Sequence, residues 1–172
     1  ILASGKSASA SHLTPTDKKF QENEGTIIEL GGVKHRYHCA LSRTVYIGKP
    51  DPKIDDTLKI TNEGVEKAIE STKPGNTCHD VAVAFWSVLE KYGLKKESRC
   101  GYSIGLGYPP DWGEHTLSIR KNEMTVLRPN VTYHLMAGMW MDTWGLEISE
   151  SIRVTENGCE LFCHFPRNLH LI

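Results

Sequence analysis

The fold of this chain is decided by the stretch Thr26-Ile-Ile-Glu-Leu-Gly-Gly-Val-Lys-His-Arg-Tyr-His-Cys-Ala-Leu-Ser-Arg-Thr-Val-Tyr-Ile47. Its first five residues, Thr26 to Leu30, are mostly β-branched or apolar and stop at a glycine pair, which predicts a short strand. From Val33 to Ile47 apolar residues alternate with polar neighbours, which predicts a second strand. The run Gly48-Lys-Pro-Asp-Pro52 ends this hairpin, because proline and glycine interrupt strand pairing.

Two helices are predicted after the hairpin. Between Ile54 and Ser71 the apolar residues recur at helical spacing, and Lys73-Pro-Gly75 ends the pattern. Thr77 then begins a second helix, with Asp80 three residues later as its capping partner. Gly93 stands where a helix-ending glycine is expected.

The rest of the chain is predicted to be loops and strands. The first two dozen residues are polar and are predicted as loop, and a rigid loop is predicted from Tyr108 to His115. The predicted strands are Arg99–Leu106, Val131–Met139, Gly145–Val154 and Cys159–His164. The order of strands, two helices and strands predicts one α+β domain over residues 1–172.

Composition and charge exclude several classes of partner. The formal net charge is −1, so no overall field attracts nucleic acid or an anionic membrane. No apolar stretch reaches the roughly 18 residues that a membrane-spanning helix needs. The five cysteines are odd in number and have no C-x-x-C spacing. This pattern favours reduced thiols and a cytoplasmic protein.

Three blocks carry the residues with chemical potential: Arg36 to Thr44, Gly101 to Thr116, and Gly138 to Glu150. Together with the strand around Glu29, they resemble the creatinase/aminopeptidase P superfamily (family M24), whose catalytic domains have the pita-bread fold. Within it they look most like the ectoine hydrolases, which open a cyclic amidine, and next like creatinase, a metal-independent relative. The resemblance extends from about residue 11 to residue 161.

This resemblance implies an α+β pita-bread fold, in which a curved antiparallel sheet carries helices on one face. It further implies that residues 1–172 form the catalytic domain without the upstream helices and N-terminal domain of the family. A homodimer is the oligomeric state that the resemblance implies, and a small molecule is the implied substrate.

The metallopeptidases of this superfamily bind two metal ions with two Asp, one His and two Glu. Matched motif by motif, those five positions here are Glu29, Ala40, Tyr102, Met136 and Ser149. Alanine, methionine and serine do not replace the carboxylates that hard cations require. A dinuclear centre is therefore not expected, and we expect no metal and no cofactor.

The resemblance instead implies a metal-independent hydrolase that acts on a C–N bond of a small cyclic amidine. Without a metal, side chains must activate a water and protonate the leaving nitrogen. His12 falls where creatinase carries its catalytic histidine, and it is the predicted general acid/base; an exposed loop histidine is the alternative. Glu29 is the predicted base or nucleophile, with an ion pair to Arg43 as the alternative.

A cyclic amidinium that bears a carboxylate needs carboxylates and aromatic faces for its cation and a forked donor for its anion. Arg43 or Arg36 is the predicted donor, and Tyr102 offers a hydroxyl at the former histidine position. The other predicted substrate-binding residues are Trp112, Glu114, His115, His134, Trp140, Trp144 and Glu147. His134 is expected to share the face of Met136, because the two are two residues apart on a strand. Packing beneath loops is the alternative for the tryptophans.

Two other functions stay open at this point. One is an Xaa-Pro dipeptidase, aminopeptidase or creatinase-like hydrolase on the same scaffold, of which the replaced ligands disfavour the peptidases. The other is a catalytically inactive pita-bread domain that binds another protein. The retained glycines and the cluster of Trp, His and Glu favour an active site over this second alternative.

Overall fold

The computed structural model describes residues 1–108 and 111–172, so Pro109 and Pro110 of the predicted rigid loop lie outside the described residues. A short 3₁₀ helix spans Gly5–Ser9, and two α-helices span Pro52–Ser71 (α1) and Cys78–Lys91 (α2). The strands of the described residues are β1 (Leu2–Ser4), β2 (Gly25–Lys34), β3 (Tyr37–Tyr46), β4 (Gly101–Ile104), β5 (Gly113–Ile119), β6 (Thr132–Trp140), β7 (Gly145–Val154), β8 (Cys159–Leu161) and β9 (His170–Leu171).

The described strands form a four-stranded sheet in the order β1-β2-β3-β9 and a five-stranded sheet in the order β5-β4-β6-β7-β8. Neighbouring strands are antiparallel, except that β3 and β9 are parallel. The two α-helices pack against the larger sheet, and the main core joins residues such as Phe85 of α2 to Tyr133 and Leu135 of β6. The predicted α+β class is confirmed.

Both predicted helices are confirmed, together with the predicted start signal of α2. Asp51 caps α1 by accepting a hydrogen bond from Lys53 N, and Thr77 and Asp80 form a reciprocal capping box at α2. Gly93 follows α2 with a φ of 71°, a left-handed conformation that glycine adopts without strain. Neither α1 nor α2 combines the length and the apolar character needed to cross a membrane.

The two sheets meet along β3 and β7, and hydroxyl side chains make the junction. The Ser151 hydroxyl accepts from Ala40 N over 3.0 Å and donates to Ala40 O over 2.7 Å. The Thr44 hydroxyl accepts from Glu147 N over 2.8 Å and donates to Glu147 O over 3.0 Å. These contacts fix the backbone of Glu147 against the smaller sheet.

The hairpin of β2 and β3 differs from the predicted single strand from Val33 to Ile47. β2 continues to Lys34 and β3 begins at Tyr37. Between them His35 and Arg36 form a two-residue turn with φ values of 51° and 69°. The prediction was wrong here because the turn lacks the Asn-Gly or Gly-Gly pair that usually marks such a hairpin.

Three strands were not predicted, namely β1, β5 and β9. β1 lies in the segment predicted as loop and pairs with β2 from Leu2 opposite Ile28 to Ser4 opposite Thr26. β5 begins at Gly113, inside the predicted rigid loop, and β9 has only two residues. β1 and β9 are held by pairing with strands distant in sequence, so the local pattern carries little signal for them, whereas β5 pairs with the preceding strand β4.

Candidate active site

One small cavity lies beside several of the polar side chains that the sequence singled out. Alternation along β6 places His134, Met136 and Trp140 on one face, and the pairing of β6 with β7 turns Glu147 to the same side. Glu29 approaches from β2. The cavity is lined by Ile1, Ala3, Ala10, Ser11, His12, Ile27, Glu29, Met136, Trp140 and Glu147. Its volume is about 10 Å³, close to the room that one water molecule needs.

A larger hollow of about 470 Å³ lies nearby and shares Ile1 and Ala3 with this cavity. Its lining comes from residues between Ile1 and Phe20 and includes neither a carboxylate nor an imidazole. Of these two neighbouring cavities, the smaller one is the one lined by carboxylates and an imidazole.

Two carboxylates that line the cavity and a histidine close to them each have a buried atom without a hydrogen-bond partner in the protein: Glu29 Oε1, Glu147 Oε1 and His134 Nε2. One ligand atom from each residue lies within 4.8 Å of the others, and in residues 1–108 and 111–172 no other group of three or more His, Cys, Asp or Glu is placed to hold a metal ion. An unpaired polar group in the interior loses its hydration without replacement, which is costly. The cluster is therefore suited to a cationic guest.

The electrostatics of the three residues follow from their burial. Burial, reinforced by the charge of Glu29, raises the pKa of Glu147 to about 8. Burial also raises the pKa of Glu29, and the nearby charge of His12 opposes this effect. Burial lowers the pKa of His134 to about 3, so its imidazole is neutral near pH 7. A cation placed between the two carboxylates would stabilise their charged forms.

A hydrogen-bonded chain orients His134 from behind. Trp112 Nε1 donates to Tyr102 Oη over 2.8 Å, and that oxygen lies 2.9 Å from His134 Nδ1. Because an indole N–H only donates, the Tyr102 hydroxyl accepts from Trp112; towards His134 Nδ1 it donates or accepts according to the tautomer of the imidazole. Nε2 is the ring nitrogen without a protein partner. Tyr102 and Trp112 thus position His134.

We expect Glu147→Gln to stabilise the protein increasingly as the pH rises from 4.5 to 8. The folded-state pKa of Glu147 is about 8, above the value of about 4.3 in an unfolded chain. At low pH both states are protonated; as the pH rises only the unfolded state loses its proton, so the wild-type protein loses stability up to pH 8. Denaturant unfolding in the presence of chelator should show a difference of at least about 2 kcal/mol at pH 8. A difference that stays constant with pH, or an equal effect from exposed Glu156→Gln, would contradict this.

The residues at the five positions of the two-metal set do not fit such a centre. Ala40 and Met136 carry no side-chain oxygen or nitrogen, and the Ser149 hydroxyl accepts a backbone N–H of β3 over 2.6 Å. The Tyr102 hydroxyl is engaged in the chain described above. Of the five, Glu29 alone presents a free carboxylate oxygen, so we assign no chemical step to a pair of metal ions.

His12 lies at the mouth of the cavity. It is one of the lining residues, its backbone has a φ of 57°, and its side chain is exposed. Its charge acts on the carboxyl of Glu29. The structure thus brings together the two residues that the sequence predicted to be catalytic.

Trp140 forms another wall, and a residue that sequence reasoning missed supports it. Gly138 leaves the space that the indole fills, since an added Cβ would overlap the ring. Lys96 Nζ lies 5.6 Å from the centre of the ring and donates to Gly138 O over 2.6 Å. Lys96 is buried, and burial lowers its pKa to about 8. It belongs to the charged run Lys95-Lys96-Glu97, which a sequence pattern indicates as exposed surface.

Arg43 does not reach the cavity, so its predicted roles are corrected. It forms a buried ion pair with Glu150 over 2.6 Å. Its other donors reach the backbone carbonyls of Ser42, Ser149, Phe165 and Pro166. All five N–H groups are thereby used, and none remains for a substrate carboxylate. Pairing with Glu29 is also excluded, because Glu29 lies opposite Ser42 in the register and the next residue of a strand points to the other face.

Three further predicted residues do not line the cavity in the described part of the chain. Glu114 Oε1 accepts from Leu106 N over 2.9 Å. His115 Nε2 lies 2.8 Å from Asp111 Oδ2, with both side chains exposed. Trp144 packs against the main core, as the packing alternative states. None of the three is among the residues that line the cavity together with Glu29 and Glu147.

Comparison with known sequences agrees with the family resemblance of the sequence motifs. The profile of metallopeptidase family M24 matches residues 1–156. The ectoine hydrolase of Halomonas elongata is 48% identical over 170 residues, which cover 98% of this chain and 43% of that protein. An Xaa-Pro dipeptidase of Pyrococcus horikoshii is 26% identical over 172 residues, with 98% and 48% covered. The chain thus spans a little under half the length of these curated relatives.

Solved structures resemble the fold closely. The dipeptidase PepE of Mycobacterium ulcerans superposes with a TM-score of 0.92 at 26% identity, covering 99% of this chain and 46% of that one. The X-Pro aminopeptidase of Thermotoga maritima gives a TM-score of 0.91 over the whole chain and 48% of its own length, and its 24% identity supports the fold alone. The pita-bread fold implied by the resemblance is confirmed.

Proposed function

Because this chain belongs to metallopeptidase family M24, we propose that it is a hydrolase, and that the bond it cleaves is a C–N bond of a small cyclic amidine such as ectoine, without a metal ion. The family match and the 48% identity to an ectoine hydrolase support hydrolysis. The choice of amidine and the metal independence rest on the chemistry of the site.

The observation that carries the proposal is the pair of buried carboxylates, Glu29 and Glu147, whose unpartnered oxygens face one cavity. An amidinium spreads one positive charge over two nitrogen donors, and each donor can meet one carboxylate. The indole of Trp140 adds an aromatic face that attracts a cation. A peptide bond itself carries no positive charge to place between the two acidic side chains, so the pair favours an amidinium at this position over a peptide bond.

Glu29 acts as the base or nucleophile, and His12 protonates the leaving nitrogen. Glu29 either takes a proton from the water that adds to the amidinium carbon, or its carboxylate bonds to that carbon first and water then displaces it. In both routes water supplies the new C–O bond, one ring C–N bond breaks, and His12 protonates the leaving nitrogen. The product is an open-chain amide that carries a free amine. Glu147 holds the amidinium in place during this reaction.

An amidine ring needs more space than the present cavity offers. Glu29, Glu147 and His134 lie on strands, whereas the segment from Ala10 to His12 is exposed or half-buried and contributes one wall. Entry of the ring therefore requires displacement of this segment, which then brings His12 over the bound substrate.

The test is ectoine turnover by the full-length protein after dialysis against a chelator, with the ring-opened product followed by NMR and the metal content of the same sample measured. Hydrolysis should survive chelation and should fall about 10²- to 10⁴-fold in His12→Ala, as the loss of a general acid predicts. The neighbouring exposed Leu13→Ala is the matched control and should keep the rate. Chelator-sensitive cleavage of an Xaa-Pro dipeptide without ectoine turnover would refute the proposal.

A further inference from the structure

The cluster at the cavity also meets the requirements of a site for a single metal ion. We propose that Glu29, His134 and Glu147 bind one divalent first-row transition-metal ion, represented by Zn²⁺, and that this ion excludes the cationic substrate. The inhibitory half of this proposal rests on the proposed function, whereas the binding half does not.

The distances among the three residues are close to those of a metal site. Zinc bound to nitrogen and oxygen at about 2.0–2.1 Å in a tetrahedral arrangement holds its ligand atoms about 3.4 Å apart. The three ligand atoms here already lie within 4.8 Å of one another. Binding an ion therefore requires these atoms to approach by at most about 1.4 Å, the difference between 4.8 Å and about 3.4 Å.

Burial and orientation supply a second, independent reason. The His134 side chain is fully buried, and its Nε2 has no partner in the protein. Its other nitrogen is held by the Tyr102 hydroxyl over 2.9 Å, the kind of contact that orients a ligating histidine. Ligation through Nε2 uses the tautomer whose proton is on Nδ1, where Tyr102 Oη accepts it. A bound ion therefore gives all three unpartnered atoms a partner.

The ligand types determine which ion fits. Two carboxylates and one imidazole suit Zn²⁺ and its neighbours, and the charge of the ion balances that of the two carboxylates. His134 and Glu147 are not among the five positions of the two-metal set, so this is a different site on the same scaffold. The cavity of about 10 Å³ has room for one ion or one water. An ion and an amidine ring accordingly compete for Glu29 and Glu147.

The binding test uses the chelator-treated full-length protein in equilibrium dialysis against Zn²⁺ alone, and in a separate titration against Co²⁺ alone, whose visible absorption reports its coordination. We expect one tightly held ion per chain. Loss of a residue that only orients a ligand weakens metal binding roughly 10- to 100-fold, so Glu147→Gln and His134→Gln should each weaken it by at least about 100-fold. Exposed Glu156→Gln is the control and should bind like the wild type. Circular dichroism shows whether each variant is folded, and either of the two ligand variants suffices for the test.

Wild-type protein that binds no more ion than a folded ligand variant would overturn the site. The inhibitory half is measured separately: Zn²⁺ should raise the apparent KM for ectoine and leave kcat unchanged. Activation by Zn²⁺, or inhibition that excess ectoine does not relieve, would overturn it. A protein that binds the ion but never hydrolyses ectoine would refute the proposed function and leave the metal site supported, so the two failures are distinguishable.

Discussion

Glu29→Gln is expected to lower kcat for ectoine hydrolysis by about 10³-fold or more, within the range expected when a catalytic base or nucleophile is lost. The substitution keeps the shape of the side chain, which is 3% exposed and packed within β2. A neutral amide neither accepts a proton from water nor forms a bond to the amidinium carbon. Turnover by NMR and circular dichroism of the same sample measure the loss and exclude unfolding as its cause.

The matched comparison for this variant is Glu147→Gln. Because Glu147 is assigned to hold the substrate cation, its loss should act mainly on KM, whereas loss of Glu29 should act on kcat. A Glu29→Gln variant that keeps kcat within about threefold of the wild type would remove Glu29 from the reaction. Rapid quenching of the wild-type reaction followed by mass spectrometry separates the two routes, since only the nucleophilic route leaves substrate attached to Glu29.

Arg43→Met is expected to produce the largest loss of stability, about 3–5 kcal/mol, because it removes one partner of a buried ion pair. Arg43 and Glu150 lie 2.6 Å apart, with side-chain exposures of 6% and 1%. The substitution also leaves four backbone carbonyls without their donor. Arg167 Nη1, 3.4 Å from Glu150, offsets part of the loss. Denaturant unfolding measures the difference.

The matched control is Arg153→Met. Arg153 pairs with Glu160 over 2.8 Å on the surface, with exposures of 41% and 46%, and such exposed pairs contribute about 0–1 kcal/mol. Equal effects of the two substitutions would show that the Arg43 network contributes no more than a surface ion pair. If a folded Arg43→Met protein instead raised KM with unchanged stability, the substrate-binding role excluded by the geometry would be restored.

The parts of the fold that followed from the sequence are those with strong local signals. Helix α2 has a capping pair at Thr77 and Asp80 and a closing glycine, and the structure shows all three features. Strand β7 has the predicted bounds, Gly145–Val154. Strand β1 depends on pairing with a segment distant in sequence, and the turn at His35 and Arg36 lacks the residue pair that usually marks a two-residue hairpin.

The candidate site was likewise predictable only where a local rule applied. Alternation along a strand placed His134 on the face of Met136, and the structure shows both on the inner side of β6. The same rule would have separated Arg43 from Glu29, had the register of β2 and β3 been known. Lys96 could not be found from the sequence, because the contacts that bury it are made to Gly138 and Trp140 on another element.

The hydroxyl contacts between β3 and β7 determine which amide protons exchange only when the two sheets separate. The amide protons of Ala40, Ser42 and Glu147 are held by the side chains of Ser151, Ser149 and Thr44 and not by a neighbouring backbone. Exchange of these protons with deuterium therefore requires the two sheets to separate, even while the strands within each sheet stay paired. The exchange rates of these three amides therefore measure transient separation of the two sheets, next to the backbone of Glu147.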